Sequence, residues 1–405
     1  MKKFEIPNIY RSSIISKLKE FRKSEDLHKK DFSPTELDFG PVKFLIARHF
    51  GFCYGVENAI DIAYKTINEN PGKRIFLLSE MIHNPMVNLE LESQGIRFIL
   101  DTYGNQLIDW SEITKDDIII IPAFGASLET ETFLKNKEID TVKYNTTCPF
   151  VERVWNRAAE LGKENYTVIV HGKSKHEETR ATFSRSRQHA KSIIVRDIKE
   201  AELISKMINR EIDGEEFYKY FAGRYSEGFD IEKNLIRVGV VNQTTMLASE
   251  TEAISNLLRD TMTKKYGAEN LKEHFADTRD TLCYATNDNQ SATTGLLENS
   301  ADLAVVIGGY NSSNTSHLVE LLEKKFPTYF ISGPEKIISD LLISHFDLNS
   351  RTEKVTENYL PQKEQVAIAL TSGASCPDSL VDEVLNKILS FFEETKNAEE
   401  VLGKL

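Results

Sequence analysis

Cysteine is scarce in this chain: four residues in 405, and nowhere two of them in a CxxC pair. That scarcity argues against a thioredoxin-type redox motif, a zinc ribbon and the disulfide framework of a small secreted protein. Positive charge is also in short supply. Lys and Arg total 50 against 62 Asp and Glu, giving a formal net charge of −12. A general nucleic-acid binder or a protein of anionic membrane surfaces needs the opposite footprint, so no nucleic-acid partner is expected. No apolar run reaches the ~18 residues of a membrane span. No GxxxxGK[ST] phosphate loop occurs. Residues 1–40 lack an apolar signal core, and Glu5, Glu20, Glu25 and Asp26 are too many acids for a transit peptide. A cytoplasmic chain without membrane association is expected.

What is present begins with three stretches that each carry one cysteine: HFGFCYGVENAI around Cys53, NTTCPFVERVW around Cys148 and TLCYATNDNQSA around Cys283. Each thiol stands where a strand or loop meets an amphipathic helix, and domain-sized separations lie between them. Three lone thiols so placed could hold something at a shared centre. They could equally be ordinary buried cysteines, which cores tolerate well.

The surrounding chain alternates strand and helix. KFLIAR, RIFLLSE, IRFIL, DDIIIIPAF, YTVIVHG, SIIVRD, LIRVGVVNQ, LAVVIGG, TYFIS and EQVAIALTS read as strands. The unbroken apolar run Ile118–Ile121 suits a strand covered on both faces. Helices are expected after Cys53, over Pro85–Ser93, from Pro149 to Gly162, over HEETRATF, over Thr251–Tyr266, after Cys283, from Ser316 and after Cys376. The fold class is therefore α/β, with a length suited to about three small units. The expected organisation is an N-terminal extension at 1–42, helical near Ser12–Arg22, and a first α/β domain at 43–147, of which 43–54 could join the third. A second α/β domain at 148–279 carries an insertion near 209–235. A third spans 280–390, and a charged tail at 391–405 should fray.

The unusual polar residues fall just past strand ends: Cys53, His83, Cys148, His176, Thr244, Asn311–Asn314 and Ser375. Ligands of parallel α/β sheets bind at such ends, where helix N-termini offer free N–H groups. Thr244–Thr245, Ser312–Ser313–Asn314 and Ser375 suit phosphate oxygens, although the same residue types are also common helix caps. His83, His176 and Glu178 could bind phosphate or move a proton. His171, at a strand end, reads as a core residue. Zinc on mixed His and Cys ligands is conceivable, but no two candidates have zinc-motif spacing. Iron–sulfur clusters normally take four thiolates, so three would leave one iron open. Cys376, in a tight ASCP turn, reads as a small buried thiol.

In order along the chain, FGFCYGV, the HN of MIHN, NTTCP, HGKSKHEET, NQTT, LCYATNDNQ, YNSSNTSHL and SGASCPD resemble the 4-hydroxy-3-methylbut-2-enyl diphosphate reductase family over about Lys43–Ile388. The resemblance implies three α/β domains in a pseudo-threefold arrangement around a [4Fe–4S] cluster on Cys53, Cys148 and Cys283. It implies reductive removal of the substrate's allylic hydroxyl, bound at the fourth iron, to give isopentenyl and dimethylallyl diphosphates. This is the last step of the methylerythritol phosphate route. Glu178 would deliver the proton and Thr244 would help place the hydroxyl. His83, His176, Ser312, Ser313, Asn314 and Ser375 would bind the diphosphate, and ferredoxin or flavodoxin would supply electrons. The extension and the 209–235 insertion look like the longer plant and cyanobacterial branch. Phe124 stands where many bacterial members have a histidine, which removes one ligand-contacting imidazole. Two other readings of the same residues are a non-redox open-iron dehydratase or synthase, of the quinolinate-synthase kind, and an iron–sulfur sensor or binding module.

Overall fold

The apolar runs become the strands of three separate, largely parallel sheets. The structure is a computed structural model that describes residues 4–26, 30–276 and 281–405. Its chain divides into two compact units. One holds Met1–Asp61, Ile82–Glu90 and Tyr284–Leu405, the other Ile62–Met81 and Leu91–Cys283.

The first unit is built on a five-stranded sheet ordered Thr35–Asp38, Val42–Ile46, Val366–Ser372, Leu303–Ile307, Thr328–Ile331. Only the first pair is antiparallel. Leu303–Ile307 and Val366–Ser372 are buried at every position, as expected of central parallel strands with both faces covered. Because Val42–Ile46 pairs with Val366–Ser372, the start of the 43–54 segment belongs to this sheet.

The N-terminal extension is part of the same core. Its helix Ile14–Glu25 buries Ile14, Ile15 and Leu18. The orphan N–H groups of a helix start need acceptors. Here the Asp382 carboxylate, on the helix Asp378–Leu389, takes those of Ser13, Ile14 and Ile15 at 2.9, 3.1 and 3.2 Å.

Two expectations are corrected in this unit, and one pair of strands is new. The tail does not fray: Ala398–Leu402 is a helix capped by Asn397, with Val401 only 4% exposed inside the core and the Lys396 N–H on the Phe39 carbonyl. The charges that suggested fraying line its solvent side. The helix expected from Ser316 begins at Ser313, because Ser312 caps it by accepting the Thr315 N–H. An antiparallel pair, Leu342–Asp347 with Thr352–Glu357, has no counterpart in the sequence reading. Its second strand buries no residue, so it carries no apolar alternation.

The second unit holds two sheets, parallel throughout. One is ordered Arg97–Phe98, Ile75–Leu77, Ile118–Ile120, the other Ser192–Val195, Thr167–His171, Val238–Asn242, Phe275–Ala276. The 209–235 insertion folds into the short helices Gly214–Tyr220 and Ile231–Asn234. It is anchored by the buried rings of Phe217, Phe221 and Phe229 and by Arg224 on buried Glu200 at 2.7 Å. Among the described residues no helix is long and apolar enough to cross a membrane.

Candidate active site

Each of the three lone cysteines immediately precedes a helix: Cys53 before Tyr54–Glu69, Cys148 before Pro149–Lys163 and Cys283 before Tyr284–Leu297. Each also follows a different sheet. Cys53 comes after Val42–Ile46 and Cys283 after Phe275–Ala276. Cys148 is not directly past a strand, as the sequence suggested. Its segment rejoins the three-stranded sheet only through the isolated bridge Ile121–Asn145, after the helix Leu128–Asn136. All three cysteines are half-buried.

Local hydrogen bonds explain why these loops hold their shape. Before Cys148, the Asn145 carboxamide oxygen accepts from the N–H and hydroxyl of Thr147 at 2.8 and 2.6 Å, and the Thr146 hydroxyl donates to the Ile121 carbonyl at 2.6 Å. Pro149 then starts the helix at its favoured first position. Burial pushes the Cys148 thiol up to about 11, with Cys283 and Glu178 nearby adding to the rise, while the N–H groups of Phe150 and Val151 pull the other way. Before Cys283, Asn242 and Thr281 lock reciprocally. The Asn242 Oδ1 accepts from the Thr281 N–H and hydroxyl at 2.9 and 2.6 Å. The Cys283 N–H then meets the Thr244 carbonyl at 3.3 Å.

Thr244 links Cys283 to Glu178. The Glu178 side chain is 1% exposed, and its two oxygens accept from the Thr244 N–H at 2.6 Å and the Thr244 hydroxyl at 2.8 Å. Glu178 lies in the first turn of Glu177–Ser186, which His176 caps by accepting the Glu178 N–H on Nδ1 at 3.2 Å. The Phe124 ring stands edge-on to that imidazole, centroids 5.6 Å apart. Cys148, Cys283, Glu178, Thr244, His176 and Phe124 therefore occupy one neighbourhood of the second unit.

Gln243 organises this neighbourhood, and residue-type reasoning passed over it. Fully buried, it accepts from the Thr179 hydroxyl at 2.9 Å and the Lys173 N–H at 3.2 Å, and donates to the Thr245 hydroxyl at 2.7 Å. The signal available in the sequence was an Asn-Gln pair at the end of an otherwise apolar strand.

The other candidates gather in the first unit. Ser312, Ser313 and Asn314 open the helix Ser313–Leu322 and are all buried. The Asn314 Oδ1 accepts from the Ala374 N–H at 2.9 Å and from the Asn289 amide at 3.4 Å. Its Nδ2, in a residue 3% exposed, has no partner. The Ser375 hydroxyl donates to the His83 carbonyl at 3.1 Å. A Cβ on Gly309 would stand 2.4 Å from that same carbonyl, and one on Gly373 would meet the Thr315 hydroxyl at 2.0 Å. The loops close on the helix start because those positions carry no side chain.

Two residues set aside from the sequence are placed accordingly. Cys376 is fully buried in the apolar core; burial pushes its thiol up to about 12, and its S–H donates to the Pro377 carbonyl at 3.6 Å. His171 is fully buried with Nδ1 on the Thr251 hydroxyl at 2.9 Å and Nε2 3.6 Å from Glu250. The candidate set is thus shared between the units. Cys53, His83, Ser312, Ser313, Asn314 and Ser375 are in one, and Cys148, His176, Glu178, Thr244 and Cys283 in the other. Among the described residues no three His, Cys, Asp or Glu side chains form a metal-holding group.

Comparison with known proteins agrees with the motifs. The LytB protein family model matches residues 44–389. A 4-hydroxy-3-methylbut-2-enyl diphosphate reductase of Gloeobacter violaceus is 40% identical over 374 residues, covering 92% of this chain and 88% of the relative. The reductase of the same name from Synechocystis sp. is 42% identical over 368 residues, 91% of this chain and 94% of the relative. The solved E-1-hydroxy-2-methyl-but-2-enyl-4-diphosphate reductase of Plasmodium falciparum shares the fold, with a TM-score of 0.59 at 21% identity over 86% of this chain and 88% of that one. Motifs, family model and relatives agree: the chain belongs to the LytB family.

Proposed function

We propose that the chain catalyses the reaction its relatives are named for, the reduction of 4-hydroxy-3-methylbut-2-enyl diphosphate to isopentenyl and dimethylallyl diphosphates. Two electrons and two protons enter, the allylic C–O bond breaks and the oxygen leaves as water. The observation that carries this reading is the buried carboxylate of Glu178, held by Thr244 beside Cys283 and within electrostatic reach of Cys148.

The family implies an iron–sulfur cluster, and the donor chemistry fits one. A thiol as desolvated as that of Cys148 gains from a metal, which takes it as thiolate. The N–H groups at the start of its helix also favour negative charge. Cys53, Cys148 and Cys283 would hold a [4Fe–4S] cluster, one from each sheet, in a three-domain arrangement about a shared centre. When bound, the cluster supplies electrons and one iron without a protein ligand. Cys376 takes no part, because it is enclosed in the apolar core with its S–H on the Pro377 carbonyl.

Glu178 would deliver the proton that the leaving oxygen needs. Burial keeps bulk water from short-circuiting the transfer, and the Thr244 hydroxyl, already 2.8 Å from the carboxylate, is the next station. In the other unit the buried Asn314 Nδ2, the Ser312 and Ser313 hydroxyls and the helix start suit diphosphate oxygens, with Ser375 and His83 beside them, and His176 of the second unit would complete the anion set. Electrons come from a separate one-electron carrier such as ferredoxin or flavodoxin. The compartment in our reading is the cytoplasm, a reducing setting in which thiols persist.

The test is oxidation of reduced viologen by anaerobically prepared protein. It should require the hydroxylated allylic diphosphate and collapse in Glu178→Gln while the cluster is retained. Turnover without an electron donor would instead favour the non-redox dehydratase.

A further inference from the structure

The N-terminal extension contacts the loop that carries Cys53 and the helix Tyr54–Glu69 that follows it. The Phe4 ring lies edge-on to Tyr54 at 5.0 Å, and the Glu5 N–H donates to Asp61 at 3.0 Å. Buried Tyr10 stands edge-on to Phe52 at 5.6 Å. Further along the extension, the Arg22 carbonyl accepts from the Arg48 guanidinium at 2.9 Å.

Lys19 lies at the centre of these contacts. Its ammonium donates to the Phe50 carbonyl at 2.9 Å and to the Asp378 carboxylate at 2.6 Å, and it lies 4.5 Å from the centroid of the Phe50 ring. Between these partners runs Gly51, with φ +78°, a conformation L side chains rarely adopt. A Cβ there would stand 2.6 Å from the Asp378 carboxylate and 2.7 Å from the Lys19 nitrogen, so the ion pair closes directly over the glycine. Two residues on, the Cys53 N–H is fixed on the Ala374 carbonyl at 3.2 Å.

We propose that the extension is a clamp for the Cys53 loop, with Lys19 a positioning residue that sets the loop's shape through the Phe50 carbonyl and Asp378. The inference rests on the reading of Cys53 as a cluster ligand. A ligand on a seven-residue excursion from its strand has many more accessible positions than a pre-set one, and the clamp removes that freedom before iron arrives. Lys19 serves better than an apolar residue because one ammonium can satisfy a carbonyl, a carboxylate and a ring face together.

The experiment compares full-length wild type, Lys19→Met and Lys19→Arg by the alkylation rate of each cysteine after iron has been stripped with a chelator. Cys53 should react about fivefold faster in Lys19→Met, a local opening, with Cys148 and Cys283 unchanged and buried Cys376 still unreactive. Lys19→Arg should recover much of the wild-type rate. In the loaded protein, Lys19→Met should lose iron to the chelator faster. An unchanged Cys53 rate overturns the clamp. So does a common rise of all three half-buried cysteines, or reaction at Cys376, since Lys19 would then support the whole unit and not the loop. Absence of iron from wild type would overturn the cluster reading alone, because the Cys53 rates are measured without it.

Discussion

The two polar neighbourhoods differ in how their hydrogen bonds are used. Around Glu178 both carboxylate oxygens are occupied by Thr244, and Asn242, Thr281 and Gln243 are linked to fixed partners. Around Asn314 the helix start is closed on one side by Ala374 and His83, but a buried amide group is left unspent. A buried donor without a partner costs on the order of 1–3 kcal/mol. Fixed bonds suit a group that must keep one position. An unspent donor suits a site that is complete only when an anion arrives.

The largest effect should come from the three thiols proposed to hold the cluster. Replacing Cys53, Cys148 or Cys283 by Ser is expected to abolish the cluster's charge-transfer absorbance and turnover, whereas Cys376→Ser should keep both. Loss of the absorbance in Cys376→Ser would show that four thiols, not three, hold the iron.

Next in size, Glu178→Gln should lower kcat by about 10²–10⁴-fold, the range for a positioned acid. Iron content and KM should stay near wild type. A comparable rise in KM would move Glu178 from the proton side of the comparison to the binding side.

Asn314→Leu should act the other way round. Losing one hydrogen bond to a charged ligand is worth about 1.5–3 kcal/mol, or roughly 10–150-fold in KM. The melt should also fall, by about 1–3 kcal/mol, because the Ala374 N–H and the Asn289 amide lose the Oδ1 that accepts them. A fall in kcat alone would contradict the anion role.

The smallest effect concerns the two classes of cysteine. Cys376→Ser puts a hydroxyl where the thiol is fully buried, and should cost about 1–3 kcal/mol in a thermal or urea melt with no change in KM. An unperturbed melt would contradict the tight apolar packing around it.

Most of the frame was legible in the residues. Pro149 marked a helix start, Ile118–Ile121 a buried strand, and lone cysteines before amphipathic patterns the three helix junctions. What escaped had no local signature. Thr352–Glu357 pairs as a strand without a buried face, and Val401, with Leu402 and Leu405 against the same core, anchors a tail that its charges made look loose. The strand read from IRFIL shrinks to Arg97–Phe98, with Ile99 and Leu100 still donating to the Leu77 and Leu78 carbonyls past its end. The candidate residues were legible from their motifs, but their grouping was not. That Ile82–Glu90 joins Tyr284–Leu405, setting His83 beside Ser375, depends on contacts across most of the chain. The reciprocal Asn242–Thr281 lock depends on two segments that no periodicity connects.

The central claim is that three thiols, one from each sheet, hold a four-iron cluster whose remaining iron is left for substrate. Mössbauer spectroscopy of iron-57-loaded protein, with and without 4-hydroxy-3-methylbut-2-enyl diphosphate, tests it most directly. The account predicts a change confined to one quarter of the iron signal when substrate is added. Four irons that remain unchanged under saturating substrate would contradict it.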